Sequence, residues 1–145
     1  MRKTRSSGGL RFSYPSPPEE IPRWAREEAR RWVGKDQFDV LVMAEELSGR
    51  SLEVRYVDLP EDVFGFHVCR GSRGAILINA GLPPFWRRFT LFHEIYHIVK
   101  HPKGKAFWER TFQPMSRFER EADHFAWAAV WPEWSRGDYS QWDCL

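Results

Sequence analysis

Five consecutive residues, His93-Glu94-Ile95-Tyr96-His97, bring two imidazoles and a carboxylate together at helical spacing. On an α-helix, four residues advance about 6 Å along the axis and about 40° around it. Two imidazoles so placed leave one face of the helix and can share one ion. Glu94 stands beside that face, where its carboxylate can take the proton of a water that the ion polarises. This is the arrangement of a zinc peptidase, two His ligands with a general base. The competing reading is a pair of half-buried helix histidines beside a surface glutamate, so a third ligand is required.

Downstream lies Glu119-Arg120-Glu121-Ala122-Asp123, in which Glu119 and Asp123 are again four apart and share a helix face. Glu119 would complete a His₂Glu site with an open fourth position. Asp123 could then accept the N–H of a ligating histidine, holding its tautomer and raising its basicity. Taken alone, the two acids read as a solvated face balanced by Arg117 and Arg120; beside the histidine pair, the ligand reading is the stronger. Such a donor set suits Zn²⁺, and Mn²⁺ or Fe²⁺ could also bind. Zinc lowers the pKa of water toward about 7, and Glu94 would take the proton and deliver it to the leaving amine. Other candidates fit less well. His101 would lie about 12 Å along the helix from His93, too far to share an ion. Glu121 would face about 200° away from Glu119, and His124 would sit at a flank. His67 falls in an expected strand, where packing is the default role. An oxyanion donor is usual in such chemistry; Tyr96, His67 and His124 are candidates.

These residues need elements to hold them. Apolar residues recur about every four positions from Ile21 through Ala25, Ala29 and Trp32, a helix expected to start near Pro22 and end at Gly34. Asp36 can cap a second helix that Gly49 ends. The period then changes to two: Leu52, Val54 and Tyr56 alternate with Glu53 and Arg55, giving a strand over 51–58. Phe64 to Cys69 and Ala75 to Asn79 read as two more strands, paired as a hairpin across Gly71-Ser-Arg-Gly74. Pro83-Pro84 opens the long helix carrying the histidines, ending near Pro102. A last helix is expected from about Ser116 to Val130, closed by Pro132. Strands and helices are segregated, which predicts an α+β fold: a small three-stranded antiparallel sheet, about four helices, and a metal site between the His-Glu-x-x-His helix and the next one.

The chain has 145 residues, enough for one domain, and 42% of them are apolar. Its eight Trp and eleven Phe supply a core built from large rings. Residues 1–20, with Arg2, Lys3, Arg5 and Arg11 and no acid before Glu19, read as a mobile basic arm; residues 21–145 read as a single domain ending in an aromatic tail with Trp134, Tyr139 and Trp142. A net charge of +2 is no nucleic-acid signature. Two cysteines, Cys69 and Cys144, give neither a disulfide framework nor metal spacing. No apolar run approaches membrane-spanning length, and no signal peptide is evident, so a soluble cytoplasmic protein is expected.

The stretch Arg88-Phe89-Thr90-Leu91-Phe92-His93-Glu94-Ile95-Tyr96-His97, followed by Glu119-x-x-Ala122-Asp123-x-Phe125-Ala126 and Trp131-Pro132, resembles the ImmA/IrrE family of metallopeptidases. The likeness covers roughly residues 25–132. It implies a zincin-like fold with a gluzincin-type site, and a protein substrate: a helix-turn-helix repressor whose cleavage releases genes of stress response or mobile elements. The family often has a small residue where this chain has Tyr96, so the ring is expected to line or crowd the pocket, and Asn where it has Asp123. Two readings without catalysis compete: a metal-binding regulatory module, and a toxin–antitoxin or phage component acting by protein contact. The intact Glu94 favours the enzyme over the first of these, since a dead site need not keep its base.

Overall fold

The computed structural model describes residues 12–100 and 117–137. Among these, two helices, three strands and two further helices follow in order, which is the expected α+β arrangement. Helix α1 (Arg23–Ala29) is shorter than its apolar period suggests. Beyond Ala29 the chain winds more tightly, with Trp32 N–H donating to Ala29 O at 2.8 Å. That turn tucks Trp32 into the core at 2% exposure before Gly34 reverses the chain at φ +81°. Helix α2 (Gln37–Ser48) is bounded as its sequence predicts. The Asp36 carboxylate accepts from Asp39 N–H at 2.9 Å, and Gly49 ends the helix in the left-handed region.

Strands β1 (Ser51–Val57), β2 (Gly65–Arg70) and β3 (Arg73–Asn79) form one sheet in the order β1-β3-β2. The β2–β3 hairpin is antiparallel, but β1 pairs with β3 in parallel, so the sheet is mixed and not purely antiparallel. The reason lies in β3. With Ile76 and Ile78 fully buried, it is the strand that gains most from a central place. The chain therefore crosses to the far edge before β2, and β3 returns up the middle in the direction of β1. Asn79 holds that crossing. Its buried amide donates to the carbonyls of Leu59, Pro60 and Val63 at 3.2, 3.2 and 2.9 Å, and its oxygen accepts from Gly81 N–H at 3.0 Å.

Helix α3 (Pro84–Lys100) follows β3 through a turn tied by the Arg87 guanidinium, which donates to the carbonyls of Ala80 and Leu82, each at 2.8 Å. Helices α2 and α3 pack on the sheet, helix α4 (Arg117–Arg136) packs on α3, and α1 packs on α4. Helix α4 continues past Pro132, where it was expected to stop. A proline there forfeits the hydrogen bond to Ala128. The last turn is held instead by Trp134, whose ring lies 5.1 Å from that of Trp127 and 5.5 Å from that of Phe85, and by an Arg88–Glu133 ion pair at 2.9 Å.

Of the expected basic arm, residues 1–11 lie outside the described residues. In the part that is described, Tyr14 stacks on Trp86 at 4.8 Å and Phe12 meets Phe64 edge-on at 5.6 Å. Tyr139, Trp142 and His101 also lie outside the described residues. No helix among those described is long and apolar enough to cross a membrane.

Candidate metal centre

Helix α3 is buried on nearly every face, because the sheet covers one side and α4 the other. The His-Glu-x-x-His segment therefore lies inside the molecule. His93 and Glu94 have no exposure and His97 has 1%. The alternative of surface groups on a helix is thereby excluded.

Helix α4 brings Glu119 to the two histidines. Its carboxylate lies 3.1 Å from His97 Nε2 and 3.4 Å from His93 Nε2. One donor atom from each of the three residues falls within 4.8 Å of the others. A tetrahedral ion with bonds of about 2.1 Å separates its donors by about 3.4 Å. The spacing thus matches what one divalent ion requires, and two imidazoles with one carboxylate are a suitable donor set. Among the described residues, no hydrogen bond satisfies either ring nitrogen of His93, although both are buried. Buried polar atoms are nearly always matched, and a cation held with Glu119 would match Nε2.

Asp123 comes to the same place. Its Oδ1 lies 3.5 Å from His93 Nε2, the nitrogen that also faces Glu119, while His93 Nδ1 faces Glu94 Oε2 at 3.5 Å. Burial pushes the Asp123 carboxyl up to about 7. Burial likewise raises the Glu94 pKa, against the lowering effect of His93 and His97. Burial lowers the pKa of His93, with Glu94 opposing and His97 and His67 adding to the shift. A neutral imidazole is the form that ligates a metal.

All three groups weighed as oxyanion donors lie among the described residues. The Tyr96 hydroxyl donates to Glu121 at 3.3 Å, and its ring packs on Phe125 at 5.2 Å and Trp24 at 6.1 Å and meets the His97 ring edge-on at 6.5 Å. The space between α1 and α4 takes the ring, which borders the centre at His97. Glu121, set aside as a ligand, serves Tyr96 and Arg117. His124 is half-buried on α4, its pKa lowered by burial and by the Arg120 guanidinium.

The group that the sequence undervalued is His67. It is fully buried, its Nδ1 is hydrogen-bonded to Glu94 Oε1, and its ring stacks on that of His97 at 5.7 Å. A signal was available in β2. Gly65, His67 and Cys69 alternate inward, so the strand period already points the imidazole at whatever covers the sheet. What the period lacks is the identity of that cover.

Comparison with known proteins gives two matches. A peptidase family described as the IrrE N-terminal-like domain matches residues 35–133, well over half of the chain and all of β1 to α3. The "Uncharacterized immunity region protein 2" of Bacillus phage phi105 is 30% identical over 84 residues, which cover 57% of this chain and 53% of that protein. The chain thus spans about half the length of this curated relative. No solved structure matches it significantly.

Proposed function

Because the chain belongs to the peptidase family of the IrrE N-terminal-like domain, we propose that it is a zinc-dependent endopeptidase that cuts a regulatory protein in the cytoplasm. The observation that carries this reading is the buried convergence of His93, His97 and Glu119 around one point, with Glu94 on the adjoining face. His93, His97 and Glu119 would hold the ion. Asp123 faces the same His93 Nε2 that would bind the ion, so in place of accepting an N–H from that histidine it would add negative charge beside the ion. A divalent ion in that place supplies Lewis acidity toward a carbonyl and makes water acidic enough to lose a proton near neutral pH. Glu94 takes that proton and returns it to the departing amine. Burial suits it to this work, since a carboxylate with a raised pKa is a better base at neutral pH.

Strand β2 lies at the edge of the sheet and packs against α3. An extended substrate segment can add to such an edge through its backbone, which aligns a scissile carbonyl with no deep pocket. Specificity then rests on docking a folded partner. The phage relative carries "immunity region" in its name, which supports a helix-turn-helix repressor as the partner class. The metal-loaded protein should cut a repressor encoded beside it at a single site and leave casein largely whole, read by mass spectrometry. Rapid digestion of casein at many sites with the repressor intact would point to a general peptidase. The closure of the centre, with Glu94 and His93 at zero exposure, favours one rival, a metal-binding module that acts by contact. Glu94→Gln separates the two, because a contact module keeps its regulatory effect and an enzyme loses it.

A further inference from the structure

The hydrogen bond between His67 and Glu94 ties the sheet to the base of the proposed reaction. His67 reaches Glu94 from β2, which packs against α3, and both side chains are fully buried. The ring is held on two sides. It stacks on His97 with an interplanar angle of 23°, and its strand is pinned by pairing with Ile76 of β3. The approach of β2 to α3 is close enough that Gly65 has no room for a side chain: a Cβ there would stand 2.8 Å from Thr90 Cγ2 and 2.6 Å from Leu77 O. The backbone therefore brings the imidazole to Glu94 at short range. One carboxylate oxygen of Glu94, Oε1, is bound by His67, and the other, Oε2, is left facing the His93 side of the cluster.

We propose that His67 is the positioning residue of the general base: its Nδ1–H donates to Glu94 Oε1 and so fixes the orientation of the carboxylate, whose Oε2 lies beside His93. A carboxylate on a helix can rotate about its side-chain torsions, and a base 1 Å out of place is a poor one. One fixed hydrogen bond in a water-poor interior removes most of that freedom. His67 touches neither substrate nor water in this role and acts through Glu94. The assignment rests on the peptidase reading of Glu94 given above.

Two substitutions and one spectrum test it, all on the metal-loaded full chain. His67→Asn keeps an N–H at about the position of Nδ1, whereas His67→Leu fills the space without a donor. His67→Leu should lower kcat by about 10–100-fold, the usual effect of losing such a partner, with KM and metal content unchanged. His67→Asn should recover most of the rate. In ¹⁵N-resolved imidazole spectra of the wild type, the His67 signal, assigned by its loss in His67→Asn, should show a proton on Nδ1. That proton should be downfield and should move upfield in Glu94→Gln. The proposal is overturned if His67→Leu cleaves as fast as wild type, if His67→Asn is as slow as His67→Leu, or if His67→Leu loses its metal. A bare Nδ1, or an Nδ1 proton indifferent to Glu94→Gln, overturns it equally. Should the wild type cleave no protein at all, the peptidase reading fails on its own, and the spectrum still decides whether His67 holds Glu94. The spectrum also decides if His67→Leu does not fold.

Discussion

At the residue scale, the centre sorts into groups that would hold an ion and one that would move a proton, and substitution should separate them. His97→Ala removes a donor nitrogen that stands 3.1 Å from Glu119. It should lower bound metal well below one equivalent, measured by elemental analysis of gently purified protein. Glu94→Gln removes no donor of the trio and preserves the size of the side chain. It should keep the metal and the fold while kcat falls on the order of 10²–10⁴-fold, the range for loss of a positioned base. Metal content that stays the same in His97→Ala would move the site elsewhere. Undiminished cleavage by Glu94→Gln would leave the base unassigned. A different reactivity is expected at Cys69, a buried free thiol whose pKa is raised by burial, with Arg50 opposing. Thiolate is the reactive form. In a Cys144→Ser background, Cys69 should therefore resist a thiol reagent at neutral pH in the native protein and react once denaturant is added; rapid native labelling would contradict the packing described.

At the element scale, the relation between β2 and α3 is the sensitive one. A methyl at Gly65 would meet a backbone oxygen and a buried threonine that also donates to Trp86 O at 2.8 Å, so neither can retreat cheaply. Gly65→Ala should cost about 1–3 kcal/mol, seen as a lower Tm and a lower denaturant midpoint. It should also slow catalysis by more than its stability loss explains, because the strand that moves is the one carrying His67. Helix α4 gives the opposite sign. Pro132 lies inside the helix, where proline is unfavourable relative to alanine by up to about 3 kcal/mol. Since the following turn is already held by Trp134 and Glu133, Pro132→Ala should raise Tm. An unchanged or lower Tm would show that the helix has adapted fully to the ring.

At the scale of the whole molecule, the centre is a joint between layers. Its groups come from β2, α3 and α4, and three carboxyl groups, Glu94, Glu119 and Asp123, crowd the two histidines. A bound cation would relieve that crowding and cross-link α3 to α4. Binding to the native state alone stabilises by about 4 kcal/mol when free ligand is a thousand times its Kd. Chelator should accordingly lower the Tm of the wild type by several degrees, and added Zn²⁺ should restore it. His97→Ala should show little response to either. A wild-type Tm indifferent to chelator would argue against a tightly held ion at this joint.

Much of this was legible in the order of residues, and the reason is locality. Helix period places His93 with His97 and Glu119 with Asp123 whatever else the chain does, and the caps at Asp36 and Gly49 act within one turn. Each of these depends on contacts a few residues apart. The rest depended on how layers meet. The parallel pairing of β1 with β3 followed from which strand was apolar enough for the middle, a comparison among strands that no single strand contains. Tyr96 came to lie beside His97 with its hydroxyl on Glu121 because α1 and α4 offered its ring a place. His67 joined Glu94 because Gly65 lets β2 come close to α3 at one register. Period and capping are properties of a short segment, and the sequence carries them by itself. The sheet order, the register and the burial that shifts the pKa of Glu94, His93 and Asp123 belong to the packed whole, and only the tertiary structure decides them.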